Sequence, residues 1–321
     1  MFRFLCLLLC FYLYALTGYA QTDDPFAVRY HPDSVKADIA GLFEELREAH
    51  PGFYRYQDST AFDNSIDSVI QQIDQEMTIL EIYRVIKPIF AQIGCLHTSV
   101  HLTEENTNAL NEQANCIPLL LSFDTNGAFV LDNLGDDDRI VPGDQLIEID
   151  GRSVQDIFTQ LCAAIPLDGN STAGKRTLLQ YQFPKWYRNM IAVKSEFDVT
   201  VKRGQSTEVL TIQAIKADRV PGYEAVMSVP MSLEIEGSVA TMRIPTFSKS
   251  SLKRQGQRFE KELKHYFAEI EKHNVQHLIV DLRSNSGGTD SYAAHFTSQF
   301  FEEPFRYWDR IEVTEKLAGQ I

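Results

Sequence analysis

Disulfide chemistry is scarce in this chain. Five cysteines occur among 321 residues, and Cys6 and Cys10 sit in an apolar N-terminal run. Cys95, Cys116 and Cys162 remain, an odd and sparse set that argues against a disulfide scaffold. Positive charge is also in deficit: 30 Lys and Arg face 44 Asp and Glu, for a net charge of −14. No basic stripe or Lys/Arg block appears, which argues against nucleic acid or an anionic membrane surface as partner. Phosphate-loop and dinucleotide fingerprints are missing, as are internal repeats, low-complexity segments and long linkers. What the chain has is enough apolar sequence, 44%, to pack cores, and a length that suggests two or three domains.

The N-terminus reads as an export signal. Met1-Phe-Arg3 is a short basic start, Leu5 to Leu16 is apolar, and Gly18-Tyr-Ala20 is a small-x-small cleavage site before Gln21. The apolar run is too short for a membrane span, and Leu9 stands where a lipoprotein site before Cys10 needs a small residue. An exported protein, periplasmic or extracellular, with no membrane span after signal removal is therefore expected.

After residues 1–20, the region 28–110 reads as helical. Asp33 or Ser34 is placed to cap a helix with Val35, Ile39, Leu42 and Leu46 on one face, ended by His50-Pro51-Gly52. Phe62, Ile66, Val69 and Ile73 mark a second helix. Thr78 with Glu81 is a capping box that opens a third, running toward Pro88.

From 114 to 216 the pattern turns to strands. Leu119, Leu121 and Phe123 alternate, Asn126-Gly127 is a hairpin signal, and Phe197, Val199 and Val201 alternate before Arg203-Gly204. Pro142-Gly-Asp144 and Ile149-Asp-Gly151 set turns around a short strand, and the arrangement looks like a PDZ domain. That resemblance implies capture of a peptide as an added strand, with its carboxylate on loop N–H groups. The matching loop, Cys116-Ile-Pro-Leu-Leu120, has no glycine, and Pro118 has no N–H, so carboxylate capture is in doubt. Thr172 to Tyr187, with Phe183, Trp186 and Tyr187, reads as an insertion whose aromatics suit a core better than a ligand box.

The region 228–321 reads strand, helix, strand, helix, which implies a βαβ unit with a largely parallel sheet. Its centre is His277-Leu-Ile-Val-Asp-Leu-Arg-Ser-Asn-Ser-Gly-Gly-Thr289: an apolar strand, a sharp polar turn, then Tyr292, Phe296 and Phe300 at helical spacing. Backbone N–H groups at such a turn can bind a developing negative charge.

Asp281-Leu-Arg-x-Asn-x-Gly-Gly288 after that strand resembles the core motif of the tail-specific (C-terminal processing) serine proteases, in the branch of the tricorn-type enzymes and interphotoreceptor retinoid-binding modules. The resemblance implies an α/β multidomain fold: an N-terminal helical region, a PDZ-like β domain and the first part of a ClpP/crotonase-like βαβ protease core. It implies Gly287 or Gly288 as an oxyanion-hole donor, with Asp281, Arg283 and Asn285 holding the turn. Ile93-Gly-Cys-Leu-His-Thr98 is similar to the Gly-x-x-His-Thr motif of the same group, which makes His97 the candidate general base. An imidazole suits that role because it titrates near working pH. The family's nucleophilic Ser, and a later Lys or Glu, are expected beyond residue 321, so the expected function is a serine-type endopeptidase acting on proteins or peptides, present as an inactive fragment. The alternative is a non-catalytic peptide- or ligand-binding protein on the same fold.

Rival site readings are weaker. His97 and His101 share a helix face, but Thr98, Ser99 and Val100 favour a strand, where the rings stand roughly 13 Å apart and cannot hold one ion. No metal and no cofactor are expected. Ser286 lies on a strand-to-helix turn, yet a nucleophile elbow needs Gly two residues earlier, where Ser284 stands. Cys95 reads as a structural cysteine, because adjacent strand residues face opposite sides and would pair badly with His97.

Overall fold

A computed structural model describes residues 26–169, 171–222, 229–283, 285, 287–311 and 313–314. The export segment Met1–Ala20 and Ser286 lie outside the described residues.

The N-terminal region is built from β1 (Arg29–Tyr30), α1 (Pro32–Ala49), α2 (Ser59–Gln71), β2 (Met77–Thr78), α3 (Ile79–Gln92) and α4 (Glu104–Glu112), with β1 antiparallel to β2. Helix α1 begins earlier than Asp33 suggests. His31 is its cap, and its Nδ1 accepts the Asp33 N–H at 3.3 Å. Pro32 fits the first helical turn, where no N–H is required. Phe43, fully buried, faces the core in place of Leu42, which is 39% exposed. Asp58 caps α2, and Thr78 and Glu81 form the capping box of α3. Pro88 does not end α3, which continues to Gln92. Burial of Ile86, Ile89 and Phe90 on either side of it outweighs the lost backbone bond. The rings of Phe43 and Phe90 pack 5.3 Å apart, and those of Phe53 and Phe62 5.2 Å apart.

The middle region contains β3 (Ala114–Cys116), β4 (Leu119–Asp124), β5 (Gly127–Asn133), β6 (Gln145–Ile149), β7 (Arg152–Ser153), α5 (Val154–Ala164), α6 (Thr172–Met190), β8 (Glu196–Arg203), β9 (Ser206–Gln213) and β10 (Ile215–Lys216). One antiparallel sheet runs β4-β5-β6-β8-β9, with β7 attached to β6, and β10 pairs separately with β3. Segment 172–187 lies within α6 and supplies core: Phe183 and Tyr187 are buried, and Phe183 packs 5.8 Å from Phe123 on β4. Arg188 of α6 is buried, and its Nη1 donates to Asn111 Oδ1 at 2.9 Å, tying α6 to the end of α4. Helix α3 serves two cores. Leu80 and Tyr83 join the sheet's core, whereas Ile86, Ile89 and Phe90 join that of α1 and α2.

Asp144 closes the Val141-Pro-Gly-Asp144 turn. It is 2% exposed, accepts the Val141 N–H at 3.0 Å, and takes two bonds from the Arg203 guanidinium at 2.6 and 2.7 Å. Arg203 holds its carboxyl below the usual carboxylate range. Such a carboxylate contributes stability that is present above the ordinary carboxylate pKa and is lost as pH falls through the depressed one. Asp144→Ala should cost about 2 kcal/mol, because it removes two charge-assisted bonds and the acceptor of the Val141 N–H that closes the turn. Urea unfolding at pH 7 checks this. The wild-type advantage should shrink toward pH 3, and equal midpoints at pH 7 would refute it.

The C-terminal region contains β11 (Ser232–Glu236), β12 (Val239–Arg243), α7 (Lys249–Arg254), α8 (Phe259–Lys272), β13 (His277–Asp281) and α9 (Asp290–Ser298). Strands β12 and β13 are parallel, as a helical crossover requires. Strand β11 is antiparallel to β12, since only Gly237 and Ser238 join them. The sheet is therefore mixed. Met242, Ile244, Phe259, Leu263, Tyr292 and Phe296 form its core.

Candidate active site: the His97 segment and the glycine turn

His97 lies between α3 and α4, on a turn following the buried Ile93. Gly94 sits at φ +70°, and a Cβ there would come within 2.7 Å of Tyr56 Cδ2. The turn is braced from the middle region. Asp168 Oδ1 accepts the Leu96 N–H at 2.8 Å, and the Gly169 N–H donates to Gly94 O at 3.0 Å. The Thr98 N–H donates to Cys95 O at 3.2 Å. His97 is exposed, and its imidazole makes no hydrogen bond to a described residue. The strand expected over 98–100 is not formed, and among the described residues no strand pairs with this segment. The strand-spacing argument about His97 and His101 therefore falls away. Among the described residues no group of three His, Cys, Asp or Glu could hold a metal ion. Cys95 is half-buried and, with His50, Arg55, Tyr56 and Asp168, lines a cavity of about 330 Å³.

One participant was not legible as such in the sequence. Lys87 of α3 is 2% exposed. Its Nζ donates to Ser99 Oγ at 2.6 Å and to Val100 O at 2.8 Å, and lies 5.6 and 5.5 Å from the ring centres of Tyr83 and Trp186. Burial pulls its ammonium down to about 8. Burial, then the Lys87 charge, lowers His101 below the ordinary histidine value.

The glycine turn joins β13 to α9. Asp281 Oδ1 accepts the Arg283 N–H at 3.0 Å, and the guanidinium grips both carboxylate oxygens at 2.9 Å. Arg283 pulls the Asp281 carboxyl down to about 2. Asn285 reaches two ways: its Nδ2 donates to Ile244 O at 2.9 Å, and its Oδ1 accepts the Gly287 N–H at 2.7 Å.

Gly287 and Gly288 differ. The Phe247 N–H donates to Gly287 O, and the Thr289 N–H donates to Phe247 O, each at 2.9 Å. Gly288 thereby forms a parallel bridge with Phe247. Its own N–H points to the opposite side and makes no hydrogen bond to a described residue, whereas that of Gly287 is taken by Asn285. Gly288, at φ +142°, has no room for a side chain: a Cβ would stand 2.3 Å from Phe247 C and Ser248 N. Around Gly287, at φ +92°, the space is open. Among the described residues, no hydrogen bond, ion pair or ring contact joins the His97 segment to this turn.

Residues 238–310 match peptidase family S41. The matched segment begins just before β12 and runs past α9, so it contains Asp281, Arg283, Asn285, Gly287 and Gly288, while His97 and the 114–216 region lie outside it. No curated protein matches the chain. Among solved structures, mature CPAF complexed with lactacystin matches with a TM-score of 0.58 at 16% identity, over 83% of this chain and 59% of that one. A serine-to-alanine mutant of CPAF matches at 0.57 and 15%, over 80% and 57%. Mature CPAF matches at 0.54 and 15%, over 83% and 58%. These likenesses concern the fold, and the chain spans less than two thirds of the length of the structures it matches.

Proposed function

We propose that this chain is part of an exported serine-type endopeptidase of the tail-specific type, acting on proteins or peptides, with its nucleophilic serine C-terminal to Ile321. The observation that carries the reading is the S41 match across the Asp281–Gly288 turn. The serine hydroxyl attacks the scissile carbonyl, and the exposed His97 imidazole accepts its proton and later returns one to the leaving amine. The Gly288 N–H, unengaged within the turn, donates to the oxyanion. The Gly287 N–H contributes only if Asn285 lets it go. Asp281 and Arg283 lock the strand end from which the turn springs. The PDZ-like 114–216 region positions the peptide without capturing its carboxylate at 116–120, where Ile117 and Leu119 are wholly buried and Pro118 has no N–H.

The experiment is peptide hydrolysis by purified residues 21–321, alongside the same chain extended through the downstream serine. The shorter chain should be inactive, and the longer one should cleave until that serine is replaced by Ala. Hydrolysis by the shorter chain that disappears in Ser286→Ala would overturn the assignment in favour of an elbow nucleophile.

A further inference from the structure

Lys87 is a buried cation, and among the described residues no carboxylate forms an ion pair with it. A buried ammonium is costly unless its hydrogens are satisfied. Here two of its hydrogen bonds go to consecutive residues of one segment, Ser99 Oγ and Val100 O, two and three positions after His97. The Tyr83 and Trp186 rings, from α3 and α6, flank the charge. The segment from Thr98 to Leu102 has neither helix nor strand to hold it. Its upstream side is fastened to the 168–169 loop through Leu96 and Gly94. Its downstream side is fastened to Lys87. His97 stands between the two fastenings.

We propose that Lys87 is a positioning residue for His97: from the core of α3, its ammonium fixes the downstream end of the turn that carries the imidazole. This rests on the reading of His97 as the general base. Lys87 touches no reacting atom. It restricts where the imidazole stands, and a displacement of about 1 Å in a catalytic group can cost 10²-fold in rate. Donors rather than charge do the holding, since a neutral amine at this place still has N–H bonds to give.

The variant that separates this role from plain stability is Lys87→Met. It keeps an unbranched apolar stem of nearly the same length beside the Tyr83 and Trp186 rings, removes a buried charge and its contacts with those rings, and abolishes both bonds. Relieving the desolvation should hold or raise the thermal midpoint. Amide exchange at Thr98 to His101 should nevertheless accelerate about tenfold or more, as two bonds of ordinary worth are lost. The His97 ring resonances should broaden or shift in NMR spectra of the 21–321 chain. In an active enzyme containing the chain, kcat should fall about 10²-fold with KM within threefold. Lys87→Gln, which restores a donor on a shorter arm, should recover part of the protection and of kcat. Ser99→Ala, outside the core, should move both in the same direction by less.

Unchanged exchange and unchanged His97 resonances in folded Lys87→Met would overturn the proposal. Should Lys87→Met not fold, unchanged exchange and resonances in both Lys87→Gln and Ser99→Ala would do the same. Failure of the underlying reading has a different signature: His97→Ala would keep full kcat while Lys87→Met still loosened the segment.

Discussion

In an active enzyme containing this chain, His97→Ala should lower kcat by about 10²–10⁴-fold, the usual worth of a positioned general base. Folding should be untouched. His97 is exposed and bonds to no described residue, so its removal leaves no buried partner unsatisfied. The loss should fall on kcat and kcat/KM alike, because the proton moves only in the transition state. Added imidazole should restore part of the rate if the variant leaves a cavity open to solvent. The measurement is kcat, KM and thermal midpoint on one preparation. An unchanged kcat would mean that another group, such as a downstream lysine, takes the proton. A fall in the midpoint that matched the fall in rate would assign His97 to the fold.

The second large effect concerns the two glycines. Gly288→Ala should disrupt the C-terminal core, because its Cβ would lie 2.3 Å from backbone atoms of Phe247 and Ser248, which no side-chain rotation can move. The cost should be about 3 kcal/mol or more, combining left-handed strain with overpacking. Thr246 and Asn285, which fasten the same backbone, would be displaced with it. Gly287→Ala meets open space and should cost only the backbone strain, about 1–2 kcal/mol. The oxyanion role is best tested on that milder variant together with Asn285→Ala, which frees the Gly287 N–H. If Gly288 alone donates, Gly287→Ala in an active enzyme should keep kcat within about tenfold, less than one oxyanion donor is worth. A loss near 10³-fold at retained stability would place the donor at Gly287. A Gly288→Ala variant as stable as the wild type would show that the bridge to Phe247 opens in solution.

The local elements were legible because neighbours in sequence set them. The capping box of Thr78 and Glu81, the hairpin near Asn126-Gly127 and the apolar run of β13 each depend on residues a few positions apart. Proline misled at both ends of this scale. Pro32 moved the start of α1 forward, and Pro88 stayed inside α3 because the flanking Ile86, Ile89 and Phe90 are buried in the core of α1 and α2. The strand expected after His97 failed because β-branched residues predispose a segment to pair, but only a neighbouring strand lets it do so.

By itself, the sequence determined the acidic balance, the scarcity of disulfide chemistry, the order of helical and stranded regions, and the turn from Asp281 to Gly288 with its family resemblance. Tertiary structure decided what those residues face. Only packing against Phe247 distinguishes Gly288, which has no room, from Gly287, which has it. Only the approach of Trp186, of the Ser99 hydroxyl and of the Val100 carbonyl turns Lys87 from one cation among 30 Lys and Arg into a buried anchor. A helical pattern places Lys87 four residues from Tyr83 on one face, and that was the available signal. Periodicity reports the side of an element on which a residue lies. Whether that side meets water, an aromatic ring or a carbonyl is fixed by chain segments far away in sequence, because burial and donor satisfaction are properties of the assembled core.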